Sequence, residues 1–258
     1  MILNNKSILV FAATGAIGSE AARTFAKEGA QVFLSGRDGS LLNDLCKEIK
    51  QAGGQATFHI VDATDPEAVN RYVDEVASTA GRIDGVFNAI GGRPVDLGYP
   101  APSHQMTLDA FMIPFNRIVA STFLTSRAAA GHMAKTGGGA VVTLSATLSL
   151  MTAPFMSGIS AASAAIEGLT RALAGEYGPA NIRVNCVRGN GMPETRTIQE
   201  TGAGYIGLGL TPSMVPPPLG RPITVNETAK TAAYLLSDFA SGMTAQVVTV
   251  SAGAFVGL

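Results

Sequence analysis

The chain has 258 residues, 47% of them hydrophobic and only 14% charged, which is enough apolar material for one sizeable α/β core. Acidic and basic residues nearly cancel, 19 against 18, with no basic run, so nucleic acid and anionic membrane surfaces are poor partners. No apolar run approaches the roughly 20 residues that span a bilayer, Met1–Lys6 lacks a signal-peptide pattern, and Cys46 and Cys186 stand alone in apolar stretches as free thiols, so a cytoplasmic location is expected. Three scattered histidines and two lone cysteines offer neither a metal cluster nor a Ser-His-Asp triad. Without repeats or a linker-like segment, residues 1–258 read as one domain.

The first element is a short apolar run, Ile8 to Phe11, followed by the turn Ala12-Ala13-Thr14-Gly15-Ala16-Ile17-Gly18 and a segment with helical apolar spacing (Ile17, Ala21, Ala22, Phe25). Strand, tight turn and helix in that order open a dinucleotide-binding unit. Gly15 and Gly18 let the backbone approach a pyrophosphate, and the free N–H groups at the helix start face the anion. The strict form of the fingerprint has glycine where this chain has Ala12, a substitution that costs little if the Ala12 φ is negative.

A second strand, Gln31 to Ser35, stops at Gly36-Arg37-Asp38. In this kind of fold the second strand ends at the adenosine ribose, where an acidic residue suits a free 2′-hydroxyl and an arginine suits a 2′-phosphate. Arg37 therefore favours NADP(H) over NAD(H). After a helix from Ser40 to about Gln51 comes a third strand, Ala56 to Val61, with His59 as a packed or edge residue. Asp62 lies just beyond it, placed to accept from the adenine amino group, and Asp65-Pro66 opens the next helix as N-cap and first helical residue. The fourth strand, Ile83 to Phe87, ends in the small residues Asn88-Ala89-Ile90-Gly91-Gly92 that a ribose crossing the strand ends requires.

Residues 92–106 form a Pro/Gly-rich loop on the ligand side. A long helix is predicted from about Leu108 to Lys135, then a fifth strand from Ala140 to Ser145, and a second long helix from roughly Phe155 to Tyr177 with an Ala/Ser-rich face. A sixth strand, Ile182 to Val187, precedes a long irregular region, 188–224, of the length that usually serves as a lid. Asn226-Glu227 is predicted to cap the last helix, which runs to Ser237, and Gln246 to Val250 to close the sheet. The expected architecture is a single doubly wound, Rossmann-like α/β domain with a mostly parallel seven-stranded sheet and helices on both faces.

The alternation of strands and helices, Arg37, Asn88-Ala89, the stretch Ala164-Ala165-Ile166-Glu167-Gly168-Leu169-Thr170-Arg171, the run Ile182-Arg183-Val184-Asn185 and the end Thr244 to Val250 together resemble the short-chain dehydrogenase/reductase family over essentially the whole chain. The resemblance implies a nicotinamide cofactor, held by Gly15, Ile17, Gly18, Arg37, Asp62, Asn88, Ala89 and Ser163, and a homodimer or homotetramer. It also implies a catalytic tyrosine, a lysine four residues later, a serine thirteen residues before the tyrosine, and an asparagine on the preceding long helix. Here those positions carry Ile159, Ser163, Ala146 and Ile118. A positioned acid is worth roughly 10²–10⁴-fold in rate, and isoleucine neither donates nor relays a proton.

Substitutes are available. Ser145, Thr147 and Ser149 follow the fifth strand, Ser160 and Ser163 lie on the cofactor-facing helix, and His104 and Arg93 come from the loop after the fourth strand. Arg188 and Glu194 stand where the family usually places a Pro-Gly turn beside the nicotinamide, and Tyr205 in the lid region can reach over a substrate. Of these, Arg188, Glu194, Ser145, His104 and Tyr205 are the candidate catalytic residues, with no metal. Three functional classes follow: an NADP(H)-using oxidoreductase with a non-standard site, acting on a small molecule the sequence does not specify; a catalytically silent binding or assembly module; and a non-redox lyase, isomerase or cyclase on the same scaffold.

Overall fold

All five residues of Ser7–Phe11 are buried, which a strand achieves only when both faces of its sheet are covered. The computed structural model, which describes residues 1–211 and 216–255, makes this strand, β1, part of a seven-stranded sheet. The others are β2 (Gln31–Gly36), β3 (Gln55–Ile60), β4 (Gly85–Asn88), β5 (Gly139–Ala146), β6 (Ile182–Gly189) and β7 (Val247–Val250), in the spatial order β3-β2-β1-β4-β5-β6-β7. Every neighbouring pair is parallel. The chain winds outward from β1 to β3 and then returns to the other side of β1, so the crevice of a doubly wound sheet opens at the carboxyl ends of β1 and β4.

Helices cover both faces: α1 (Ala16–Lys27), α2 (Gly39–Gln51), α3 (Pro66–Ala80), α4 (Leu108–Pro114), α5 (Ala120–Met133), α6 (Ser157–Tyr177), α7 (Arg196–Gly207) and α8 (Val225–Leu236). Alternate strand residues part to opposite sides, Ile8 and Val10 into the core under α1, α2 and α8, Leu9 and Phe11 into the core under α3, α5 and α6. Asp65 caps α3 by accepting from the N–H groups of Glu67 and Ala68, with Pro66 in the first turn. A cap of this kind stabilises by about 1 kcal/mol. Cys46 and Cys186 are free and buried, and His59 lies on the edge strand, bonded to Glu75 at 3.0 Å.

The structure departs from the sequence expectation at five places. The predicted helix 108–135 is interrupted: Pro114 has no N–H to give, and the chain continues through a wider π-helical turn, Phe115–Val119, before α5 begins. The carbonyls of Arg117 and Ile118 in that turn are taken by the hydroxyls of Ser121 (2.6 Å) and Thr122 (2.8 Å). Strand β6 runs on through Arg188 and Gly189, because β5 pairs with it that far (Ser145 with Arg188, Ala146 with Gly189), so Arg188 is a strand residue and not the start of a loop. The region 188–224 is not irregular throughout, since it contains α7; residues 212–215 of it lie outside the described residues. Thr224, not Asn226, caps α8, in a reciprocal capping box with Glu227. The Asn226 amide donates instead to Glu20 at 2.6 Å. Finally, the Ala12 φ is +55°, a left-handed conformation that an L side chain pays for with roughly 1–2 kcal/mol of strain.

Candidate functional site

A cavity of about 1090 Å³ opens along the carboxyl edge of the sheet, between the β1–α1 turn, the ends of β2 and β3, the segment after β4, and α6 and α7. Its first wall is the turn 12–18. A Cβ on Gly18 would run into the carbonyl oxygen of Ala12, so only glycine closes this turn. On Gly15 a Cβ would meet that same oxygen at 3.4 Å and nothing else, so the room it leaves faces the cavity. The helices starting at Gly39, Pro66, Leu108, Arg196 and Val225 are each capped by a side chain, whereas α1, with Gly15 as its N-cap, has none, as is also true of α5 and α6. Its first N–H groups, at Ala16, Ile17 and Gly18, therefore line the cavity without a capping side chain. Open donors beside a close-approach glycine fit the pyrophosphate of a dinucleotide.

Arg37 and Asp62 line the next corner. The Asp62 carboxylate accepts from the Thr64 N–H (2.9 Å) and hydroxyl (2.7 Å). These two bonds, with smaller contributions from Arg37 and Arg117, hold it below the usual carboxylate range. Ala89 lines the cavity, but Asn88 lies beneath the surface. Its amide donates to Thr125 at 2.8 Å and its oxygen accepts from the Ile90 N–H at 2.9 Å, so it shapes the turn carrying Ala89 and does not itself face a ligand. Ser163 lines the cavity with its hydroxyl donated back to the Ile159 carbonyl at 2.9 Å.

The far end of the same cavity is apolar. Ala146, Ile159, Ile118 and Leu148 all line it, so the positions matching the family's serine, tyrosine and asparagine face the interior without a titratable group. Among the predicted catalytic candidates, Ser145 and Tyr205 line the cavity and the other three do not. His104 sits on an exposed turn, Ser103–Gln105. Glu194 accepts from the Val225 N–H at 2.7 Å, at the start of α8. Arg188 is 3% exposed and faces α6, where it forms a two-pronged ion pair with Glu167, Nε to Oε1 at 2.8 Å and Nη2 to Oε2 at 2.7 Å. Strand parity explains the direction: Arg188 follows Ile182, Val184 and Cys186 on one face of β6.

Glu167 is the residue that sequence reasoning missed. Ser145 (3.0 Å) and Ser149 (2.6 Å) also donate to its Oε1, and Arg188 reaches Thr249 at 3.0 Å. Burial pushes the Glu167 carboxyl up, but the bonds from Arg188, Ser149 and Ser145 outweigh it and leave the group below the usual range. The available signal was a glutamate on the buried face of α6, one turn after Ser163. Glu167 engages the Ser145 proton, so that hydroxyl is already spent on a carboxylate. Thr147 is likewise engaged, with Asn190 at 2.9 Å, and the Ser160 hydroxyl is buried without a partner. Tyr205 belongs with the apolar cluster of Leu97, Tyr99, Met156 and Ile159, and donates to the Pro154 carbonyl at 2.7 Å. Burial pushes its phenol up, so at neutral pH the proton stays on. Arg93 lines the mouth, tied to Asp96 (2.7 Å) and to Glu200 of α7 (2.9 Å).

A doubly wound parallel sheet with a cavity along its carboxyl edge defines a Rossmann-like α/β protein. Residues 12–254 match a family model described as enoyl-(acyl carrier protein) reductase, and the chain belongs to the short-chain dehydrogenase/reductase family of oxidoreductases. It is 32% identical over 257 residues to a 7α-hydroxysteroid dehydrogenase of Clostridium sardiniense, covering 99% of this chain and 95% of that protein. A 3-oxoacyl-(acyl-carrier-protein) reductase of Chlamydia trachomatis is 28% identical, with 98% of each chain covered. Among solved structures, a 7α-hydroxysteroid dehydrogenase in complex with NADH and 7-oxo glycochenodeoxycholic acid superposes with a TM-score of 0.87 at 30% identity, covering 97% of this chain and 94% of that one. No helix among the described residues is long and apolar enough to cross a membrane.

Proposed function

We propose that the chain binds NADP(H) in preference to NAD(H) and interconverts a carbonyl and an alcohol on a small, largely apolar substrate, with Tyr205 as the proton donor in a non-standard site. The observation that carries the reading is the contrast along one cavity: Gly15, Ile17, Gly18, Arg37 and Asp62 line it beside the ends of β1, β2 and β3, while Ala146, Ile159 and Ile118 leave Tyr205 as the tyrosine among the lining residues, with Ser163 one turn from Ile159. When bound, the nicotinamide supplies or takes the hydride. The protein's share is to orient the carbonyl against Ile159 and Leu148, exclude water with α7, and deliver a proton. Tyr205 must leave the Pro154 carbonyl to give its phenolic proton to the substrate oxygen, and the phenolate then recovers a proton from water at the mouth. Substrate choice falls to residues 92–106 and to the 188–224 segment, which acts as the lid. The exposed Ala/Ser residues of α6 and the helices α4 and α5 serve as contacts in a homodimer or homotetramer in the cytoplasm.

Calorimetry with NADPH and NADH tests the cofactor, and a carbonyl panel at high enzyme concentration tests turnover. Tyr205→Phe is expected to lower kcat by about 10²–10⁴-fold and to leave the NADPH Kd unchanged. Tight NADPH binding without turnover on any panel member would make this chain a cofactor-binding module, and absence of binding would defeat the reading altogether.

A further inference from the structure

Among the described residues, the sheet edge offers one open side-chain donor to the apolar end of the cavity. Strands β5 and β6 end side by side, Ala146 opposite Gly189, and Ser145, Thr147 and Asn190 line the cavity at or just past those ends. The Ser145 hydroxyl is spent on Glu167 (3.0 Å) and the Thr147 hydroxyl on the Asn190 Oδ1 (2.9 Å). The other acceptor near the Thr147 proton is the Met151 sulfur at 3.7 Å, a weak one, so the proton stays on the amide oxygen. That bond sets which way the amide points. Its oxygen is taken, while its Nδ2 makes no hydrogen bond among the described residues and is not buried, so it is open to the cavity. The backbone beneath is pinned as well, because the Asn190 N–H donates to the Val250 carbonyl at 3.0 Å. The lining hydroxyls without a partner at this end, Thr152, Thr197 and Thr211, stand on the loop after β5, on α7 and beyond it, away from the sheet.

We infer that the Asn190 side-chain amide, aimed by Thr147, donates to the carbonyl oxygen of the substrate and holds the charge that develops there. The inference rests on the carbonyl–alcohol reading above and names the group that holds the reacting oxygen. As a hydride adds to the carbonyl carbon, an electron pair of the C=O bond moves onto oxygen, and a fixed N–H stabilises that charge without reorganising. Ala146, Leu148 and Met151 line the same end, and in apolar surroundings a fixed dipole counts for more than in water. An amide gives no proton away, so the two side chains divide the work: Asn190 holds the oxygen and Tyr205 neutralises it. Thr147 acts through Asn190 and is a positioning residue.

The test uses the full chain with cyclohexanone as the carbonyl probe. Infrared spectroscopy of the bound C=O stretch, with and without NADP⁺, reads the hydrogen bond in the absence of turnover, and reduction by NADPH reads catalysis. The parent protein is expected to shift the bound band to lower wavenumber. In Asn190→Ala the shift should vanish and kcat fall about 10²-fold, with the NADPH Kd unchanged. Asn190→Asp keeps an acceptor for Thr147 and loses the donor, so it should behave alike; circular dichroism checks the fold of both. Thr147→Val should lose about tenfold in kcat, recover in Thr147→Ser, and lose nothing more once Asn190 is alanine. An unshifted parent band, or the same band and kcat in both Asn190 variants, would overturn the role of Asn190 and leave the carbonyl reading standing. Asn190→Ala that weakens NADPH and spares the band would assign the amide to the cofactor and overturn it too. A shifted band without reduction would keep Asn190 as the partner of the oxygen and defeat the redox reading. No bound band and no reduction in the parent would defeat the carbonyl reading and this inference together.

Discussion

The two ends of the cavity handle charge in opposite ways. At the end proposed for the adenosine, Arg37 and Asp62 present charge to the cavity surface, beside a strained Ala12 and the start of α1. At the reacting end the surface is Ala146, Ile159, Ile118 and Leu148, and the charge lies beneath it as the buried pair Glu167–Arg188. Exposed charges stay available to a ligand and contribute little to stability. A buried pair contributes nothing to a ligand directly, and its removal one partner at a time leaves an uncompensated charge in the core. The difference teaches that charge in a binding cleft is not by itself a catalytic signal; what matters is whether its donors and acceptors are already spent.

The largest effect should come from breaking the hidden pair. Arg188→Ala is expected to destabilise the fold by about 3–5 kcal/mol, because Glu167 would be left buried with only Ser145 and Ser149 as partners. Urea denaturation measures it. Replacing both partners, Glu167→Leu with Arg188→Met, should recover most of that loss. A small loss for the single variant would mean that the pair opens to water, and that the two ends of the cavity are alike.

Acid titration sharpens the same contrast at intermediate size. Glu167 has a folded pKa below its unfolded value of about 4.3, so its contribution is fully present above that pH and is lost as pH falls through the depressed folded value. Stability measured between about pH 6 and pH 3 should fall in the parent protein. In Glu167→Gln the starting stability should be lower and the fall shallower. Identical acid profiles would show that Glu167 titrates as a free carboxylate.

The smallest effect belongs to the adenosine end. Ala12→Gly relieves a left-handed alanine but adds freedom to the unfolded chain, so the net gain should be at most about 1 kcal/mol. A shift in Tm checks it. NADPH affinity should rise or stay level, since the turn geometry is already that of a glycine. A lower Tm would mean that the turn is held by something other than the close approach of Gly18 to the Ala12 carbonyl.

Much of this was legible in the residues themselves. Strand period, helix period and cap chemistry are local, so the order of elements, the parallel sheet, the Asp65 cap and the need for Gly18 follow from neighbours within a few positions. The cavity wall formed by Gly15, Arg37 and Asp62 follows for the same reason, since all three sit within a few residues past a strand end. Tertiary structure alone decided where the remaining polar side chains turn. Arg188 reads as a ligand-facing charge until β5 extends β6 by two residues and α6 presents Glu167 across from it. Asn88 reads as a cofactor contact until Thr125, on a helix more than thirty positions away, takes its amide. The physical reason is common to both. A polar side chain at the end of an element has several directions open to it, and it takes the one in which a partner distant in sequence satisfies its hydrogen bonds.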